Sequence, residues 1–176
     1  MSNQSQELEG VIEFNLNTFP DDRGFFREVI RLSQLEAKSG QPFLAKQVNH
    51  SRSTKNTLRG IHVAPWNKII YVPHGKVQSV IVDCRKDSPT SGKYKSVVLG
   101  EDNRSCIFVP KGCGNSYLVL SEDAEYIYLT DQEWAPNLEK GVVWNDQALA
   151  IDWMLENDPT LSEKDKNNPL FSMLFD

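Results

Sequence analysis

Cysteine is scarce in this chain. Cys84, Cys106 and Cys113 are the only three, an odd number at irregular spacing. They make neither a disulfide framework nor a zinc pattern, so reduced thiols are expected. Histidine is as rare: His50, His62 and His74 stand apart, with no His-x-His and no helical pair. A metal site has little to be built from, and neither a metal nor another cofactor is expected. No apolar run approaches the ~20 residues that cross a bilayer, so no membrane partner is expected. Residues 1–9 are polar and lack an apolar signal core. A cytoplasmic protein with a loose N-terminus is the expectation. Positive charge is outnumbered, with 19 Lys and Arg against 24 Asp and Glu and a net charge of −5. Nucleic acid demands a basic patch and is excluded as a partner, whereas a small anionic ligand needs only a few local cations. No nucleophile elbow, phosphate loop or dinucleotide fingerprint is present.

What is there fits one domain over residues 1–176, long enough to bury a full core. Residues 32–39 predict the one short helix, ended by Gly40 and Pro42. Strands are predicted at 11–14, 25–30, 43–51, 58–63, 68–72, 77–84, 94–99, 106–109, 115–120 and 124–129. Residues 19–24 read as a turn, and the β-branched run 77–83 as a central strand. Many short strands separated by Gly, Pro, Asn and Asp clusters make the chain all-β, a sandwich or barrel. Residues 152–176 lose this periodicity and predict short helical turns laid over the barrel.

Chemistry concentrates in Leu58-Arg-Gly-Ile-His-Val-Ala-Pro-Trp-Asn-Lys68, which holds a guanidinium, an imidazole and an ammonium. On a strand, Gly60, His62 and Ala64 share a face, leaving open space before the ring. A neutral imidazole exchanges protons near neutral pH, and Arg59 and Lys68 suit phosphate or a developing oxyanion. A partly buried strand histidine beside two surface cations would look the same on this stretch alone.

Further motifs appear in order along the chain. They are Asp22-Arg-Gly-Phe-Phe26 with Glu28, Gln47-Val-Asn-His-Ser51, Leu58-Arg-Gly-Ile-His62, Val82-Asp-Cys-Arg-Lys-Asp-Ser-Pro-Thr90, Val109-Pro-Lys-Gly112, Trp144-Asn-Asp146 and Leu161-Ser-Glu-Lys-Asp165. The set resembles the dTDP-4-dehydrorhamnose 3,5-epimerase family over nearly the whole chain. The resemblance implies a cupin-type jelly roll, normally a homodimer. It also implies metal-free epimerisation of a nucleotide-linked 4-keto-6-deoxy sugar. By resemblance His62 is the catalytic base and Asp165 its partner. Lys68 lies near the keto oxygen, and Tyr128 returns the proton. Arg23, Phe26, Glu28, Gln47, Asn49, Arg59, Glu139 and Lys164 match positions that bind the nucleotide sugar. Two enzyme or non-enzyme alternatives stand beside this reading: a metal-dependent cupin, and a sugar-nucleotide-binding barrel without catalysis.

The chain also departs from the family pattern. Gly112-Cys-Gly-Asn-Ser-Tyr117 stands where commoner members read Gly-Phe-Ala-His-Gly-Phe, so Asn115 replaces a histidine. Asparagine donates and accepts hydrogen bonds but carries no charge. This resembles a branch that handles other nucleotide sugars, so dTDP-, CDP- and GDP-linked substrates all stay open. Trp134 stands where many members place a tyrosine, and it offers a stacking face to a base. The segment between His62 and Lys68 is short, and Trp66 within it is expected to narrow the sugar pocket. C3 inversion is expected and C5 inversion is open.

Overall fold

A computed structural model describes residues 5–101 and 103–175. Two five-stranded sheets face each other. One has the order β1 (Ile12–Asn15), β9 (Ser105–Val109), β6 (Lys68–His74), β11 (Asp123–Thr130), β4 (Gln47–Thr54). The other runs β12 (Lys140–Gly141), β5 (Leu58–Val63), β10 (Cys113–Val119), β7 (Lys76–Asp83), β8 (Tyr94–Gly100). Every pairing between these strands is antiparallel. The fold is an all-β, cupin-type jelly roll. A separate hairpin pairs β2 (Asn17–Asp21) with β3 (Gly24–Glu28), and α1 (Leu32–Ser39) follows it.

The two-residue period of a strand explains how one sequence covers three layers. On β6, Ile70 and Val72 point between the sheets, while Ile69 and Tyr71 point outward beneath α1 and its Leu35. On β7, Val77 and Ile81 point inward, while Val80 and Val82 point outward. Both outer faces are covered. Residues Ile151, Trp153, Phe171 and Leu174 of the C-terminal segment pack on the second sheet. Both faces of β7 are therefore apolar, and its residues read as one β-branched run. It is an interior strand, flanked by β10 and β8.

Some boundaries differ from the sequence reading. Residues 19–24 are not all turn: the pairing Asp21↔Gly24 closes a hairpin whose first strand runs through Phe19. The strand expected at 43–51 starts at Gln47 and continues to Thr54. The segment 5–9 is not loose. Gln6 N–H donates to Tyr94 O at 2.9 Å and Leu8 is buried; residues 1–4 lie outside the described ones. The short strand β12 had no signal, because a two-residue pairing carries no period.

A buried carboxylate ties one end of the second sheet together. The two Asp83 carboxylate oxygens accept from Arg85 Nε at 2.8 Å and Nη2 at 2.7 Å, and from the hydroxyls of Ser88 and Thr90. Burial alone would raise this carboxyl, but the Arg85, Ser88 and Thr90 hydrogen bonds outweigh it and lower it from 3.8 to about 2. The sign follows from linkage. The folded carboxyl holds its proton less tightly than the unfolded one, so its stabilisation is complete above about pH 4. It is lost as pH falls from 3.8 through about 2. At about 1.4 kcal/mol per unit, Asp83→Asn is expected to remove about 2 kcal/mol at pH 7 and little at pH 2. Urea melts at the two pH values check this, and an equal loss at both would refute it.

Candidate active site

The same alternation that builds the core builds the site. Lys68 precedes Ile70 and Val72 on the inward face of β6, so its side chain enters the inter-sheet layer. Asn115 shares the inward face of β10 with Cys113, Tyr117 and Val119, and Tyr128 that of β11 with Ala124 and Tyr126. Ile61 and Val63 of β5 pack outward, so His62 turns inward. At one end of the layer, apolar side chains thus give way to polar ones. There a cavity of about 390 Å3 is lined by Asn49, Ser51, Arg59, His62, Lys68, Asn115, Tyr117, Tyr126, Tyr128 and Glu139 among others.

Arg59 enters this wall through a break in the strand period. Asn115 pairs with His62 and Tyr117 with Arg59, so three steps on β5 face two on β10. The extra residue brings Arg59 to the side of His62, where strict alternation had placed Gly60. Gly60 makes the bulge possible: its φ is +124°, and a Cβ there would lie 2.6 Å from Ser116 Cβ. The Arg59 Nε donates to Ser53 Oγ at 3.0 Å, and Ser53 Oγ lies 3.2 Å from the Tyr117 hydroxyl.

Asp165 reaches His62 from the C-terminal segment. Leu58 N–H donates to Thr160 O at 3.0 Å, and Thr160 N–H to Asn56 O at 2.9 Å, which fastens that segment beside β5. Ser162 then caps α2 (Glu163–Lys166), its Oγ accepting from Asp165 N–H at 3.1 Å. The Asp165 carboxylate lies 2.7 Å from His62 Nε2 and is buried. Burial would raise its pKa, but the hydrogen bond and charge of His62, with Ser162 and the Gly60 N–H, hold it below the usual range. An ionised carboxylate only accepts, so His62 Nε2 carries a hydrogen, and in the neutral ring the lone pair is on Nδ1.

Lys68 is buried, which pushes its ammonium down to about 8, with Glu139 and the thiols of Cys113 and Cys84 pulling the other way. It donates to Asn115 Oδ1 and to His62 O, the latter at 3.4 Å. The short segment before it is pinned by Asn67, whose N–H donates to Asp131 at 2.9 Å. Trp66 is buried there and lines a small annex of the cavity with Gln47, Asn49, Tyr128, Trp134 and Glu139. Gln47 Nε2 donates to Asn49 at 2.6 Å, and its Oε1 accepts the Trp134 N–H at 2.7 Å. Tyr128 has its phenol raised by burial and by Glu139 and Tyr117, with Arg59 opposing, so it holds its proton at neutral pH. Lys164 pairs with Glu139 at 2.8 Å on the rim.

The structure therefore brings His62, Lys68, Tyr128, Asn49, Arg59, Asn115 and Glu139 to one cavity, with Asp165 behind His62 and Gln47, Trp134 and Lys164 at its margins. It does not bring Arg23, Phe26 or Glu28 there. Those lie on the β2–β3 hairpin, where Arg23 pairs with Asp21 and Glu28 with Arg31. Ser51, Ser53 and Tyr117 were missed by sequence reasoning. The signal for the two serines was the polar face Gln47, Asn49, Ser51 and Ser53 of β4, which a solvated edge strand shows as well; Tyr117, on β10, gave none. Among the described residues no group of three or more His, Cys, Asp or Glu stands together to hold a metal. No helix among them is long and apolar enough to cross a membrane.

The family model for dTDP-4-dehydrorhamnose 3,5-epimerase matches residues 5–173. The chain belongs to this family. The dTDP-4-dehydrorhamnose 3,5-epimerase of Pseudomonas aeruginosa is 41% identical over 168 residues, covering 94% of this chain and 93% of that protein. Among solved structures, the Mycobacterium tuberculosis rmlC epimerase superposes with a TM-score of 0.93 at 31% identity, covering 99% of this chain and 90% of that one. ChmJ, a 3'-monoepimerase from Streptomyces bikiniensis in complex with dTDP-quinovose, superposes with a TM-score of 0.90 at 30% identity, covering 96% and 87%. The family is one of isomerases, and the chain is an epimerase of that class. The proteins this chain is similar to thus include ones named for inversion at two centres and at one.

Proposed function

We propose that the chain epimerises a nucleotide-diphosphate-linked 4-keto-6-deoxy sugar in deoxysugar precursor synthesis, dTDP-linked by analogy with its relatives. The observation that carries this is one cavity shared by His62, Lys68 and Tyr128, with Asp165 bonded to the far side of the imidazole. A C4 ketone acidifies the hydrogens on C3 and C5. His62 takes the proton, and the Asp165 carboxylate stabilises the imidazolium that forms. The C–H electron pair moves into the ring and charge collects on O4, where the Lys68 ammonium meets it. Tyr128 delivers its phenolic proton to the opposite face, inverting the centre. Arg59 and Lys164 hold the diphosphate, Asn49, Gln47 and Glu139 the sugar and its linkage, and Trp134 offers its exposed face to the base.

Deuterium wash-in tests this. The 4-keto-6-deoxy sugars bearing dTDP, CDP and GDP are incubated in heavy water and the labelled carbons are read. Label at C3 and C5 is expected. Label at C3 alone favours the monoepimerase reading, for which the short segment with its buried Trp66 is the supporting observation. No label with any of the three sinks the enzyme reading, and loss of activity on chelation favours the metal-dependent alternative. Tyr128→Phe is expected to slow net inversion by about 10²-fold or more while slowing proton loss far less. Equal slowing of both would remove its role as the acid.

A second copy accounts for the residues missing from the cavity. The hairpin carries Phe25 at 57% and Phe26 at 66% exposure, and β4 ends its sheet with one neighbour, β11. Open strand edges and apolar hairpins are covered by pairing. We read the hairpin of one copy as docking on the β4 edge of the other, carrying Arg23, Phe26 and Glu28 to its site. Light scattering is expected to find twice the 20.0 kDa chain mass; a monomer would oppose this. The three cysteines are free and buried, which supports a cytoplasmic enzyme.

A further inference from the structure

Asn115 is 7% exposed and faces the cavity from β10, paired across the ladder with His62. Its Oδ1 meets the Lys68 ammonium directly. Lysine only donates, so this contact fixes the amide: the oxygen faces Lys68 and the NH2 is turned toward the buried Tyr126 hydroxyl. Other titratable groups face the ammonium too. They are Glu139 from the segment before β12, Cys84 after β7 and Cys113 on β10. Tyr128 on β11 lines the same cavity, and His62 offers its backbone oxygen. Among the described residues, Asn115 is the one whose side chain hydrogen-bonds Lys68.

We infer that Asn115 is a positioning residue whose amide oxygen aims the Lys68 ammonium at the substrate's developing oxyanion. This rests on the epimerase reading above. The uncharged amide explains how a buried ammonium keeps a partner without a titrating neighbour at this position. A histidine there would set a second ionisable ring against the charge. Burial already drives the ammonium toward its neutral form at about 8, so an acceptor at this spot sustains its charge.

The experiment uses protein labelled with 15N at lysine Nζ, the Lys68 resonance being identified by its loss in Lys68→Met. Asn115→Asp sets a carboxylate against the ammonium and is expected to raise the Lys68 midpoint by about 1–3 pH units. Asn115→Leu, close in size but without an acceptor, is expected to lower it. Wash-in at C3 is expected to fall about tenfold or more in Asn115→Leu, which leaves the ammonium unaimed, and less in Asn115→Asp, which keeps an acceptor in place. Melting temperatures near wild type in either variant establish that the barrel is intact. A Lys68 midpoint unmoved in both variants overturns the inference, and so does wild-type wash-in by Asn115→Leu. Failure of the underlying reading looks different. Wild-type protein would then label none of the three nucleotide sugars, and the titration alone would judge the contact.

Discussion

Replacing His62 by glutamine is expected to reduce deuterium wash-in at C3 by about 10³–10⁴-fold, with the barrel still folded. Glutamine is the informative substitution. Its NH2 reaches the place of the imidazole Nε2 that bonds the Asp165 carboxylate, so the buried anion keeps a partner, whereas its side chain accepts no proton near neutral pH. Alanine would confound the result. It would leave Asp165 buried with its chief hydrogen bond gone, a loss of about 1–3 kcal/mol in stability. A His62→Gln variant with a native circular dichroism spectrum and wild-type exchange would remove the base and with it the proposed mechanism.

The second large effect belongs to Lys68. Lys68→Met is expected to lower wash-in by about 10²–10³-fold, the usual consequence of deleting one donor to an oxyanion. A rate within tenfold of wild type would show that O4 lies elsewhere. The ammonium also couples activity to pH in a direction opposite to stability. Its pKa falls from 10.5 to about 8 on folding. Above about pH 8 the folded protein loses the charge that the proposed mechanism needs, so the rate is expected to decline. Between about 8 and 10.5 the unfolded chain binds more protons than the folded one, so stability from this group rises with pH. The fold thus carries a charged lysine at neutral pH at a cost of about 3 kcal/mol from this one group. Rate and denaturation profiles measured from pH 7 to 10 would separate the two trends.

Much of the fold was visible along the chain. The helix at Leu32–Ser39 ends at Gly40, whose φ of 72° is the left-handed cap that glycine allows. The interior strand Lys76–Asp83 announced itself by its β-branched run. The hairpin boundary was hidden because Pro20 and Asp21 look like turn residues in isolation. In the structure they pair with Phe25 and Gly24. The bulge at Gly60 was hidden for a similar reason. An extra residue in one strand is defined only against its partner, and that partner, β10, begins some fifty residues later.

The site divides along the same line. A strand's two-residue period is a local property. Ile61 and Val63 beside His62, or Ile70 and Val72 beyond Lys68, therefore settle which way each polar side chain points before any partner is known. Their convergence is not local. His62 meets Asp165 across 103 residues, and Lys68 meets Asn115 across 47. Those distances close only when antiparallel pairing sets β5 against β10 and the C-terminal segment lies down beside β5. The chain decides the direction of each group through its own backbone. The cavity, the tautomer of His62 and the partner of Lys68 come from packing, because they depend on atoms that only the folded layers bring within reach.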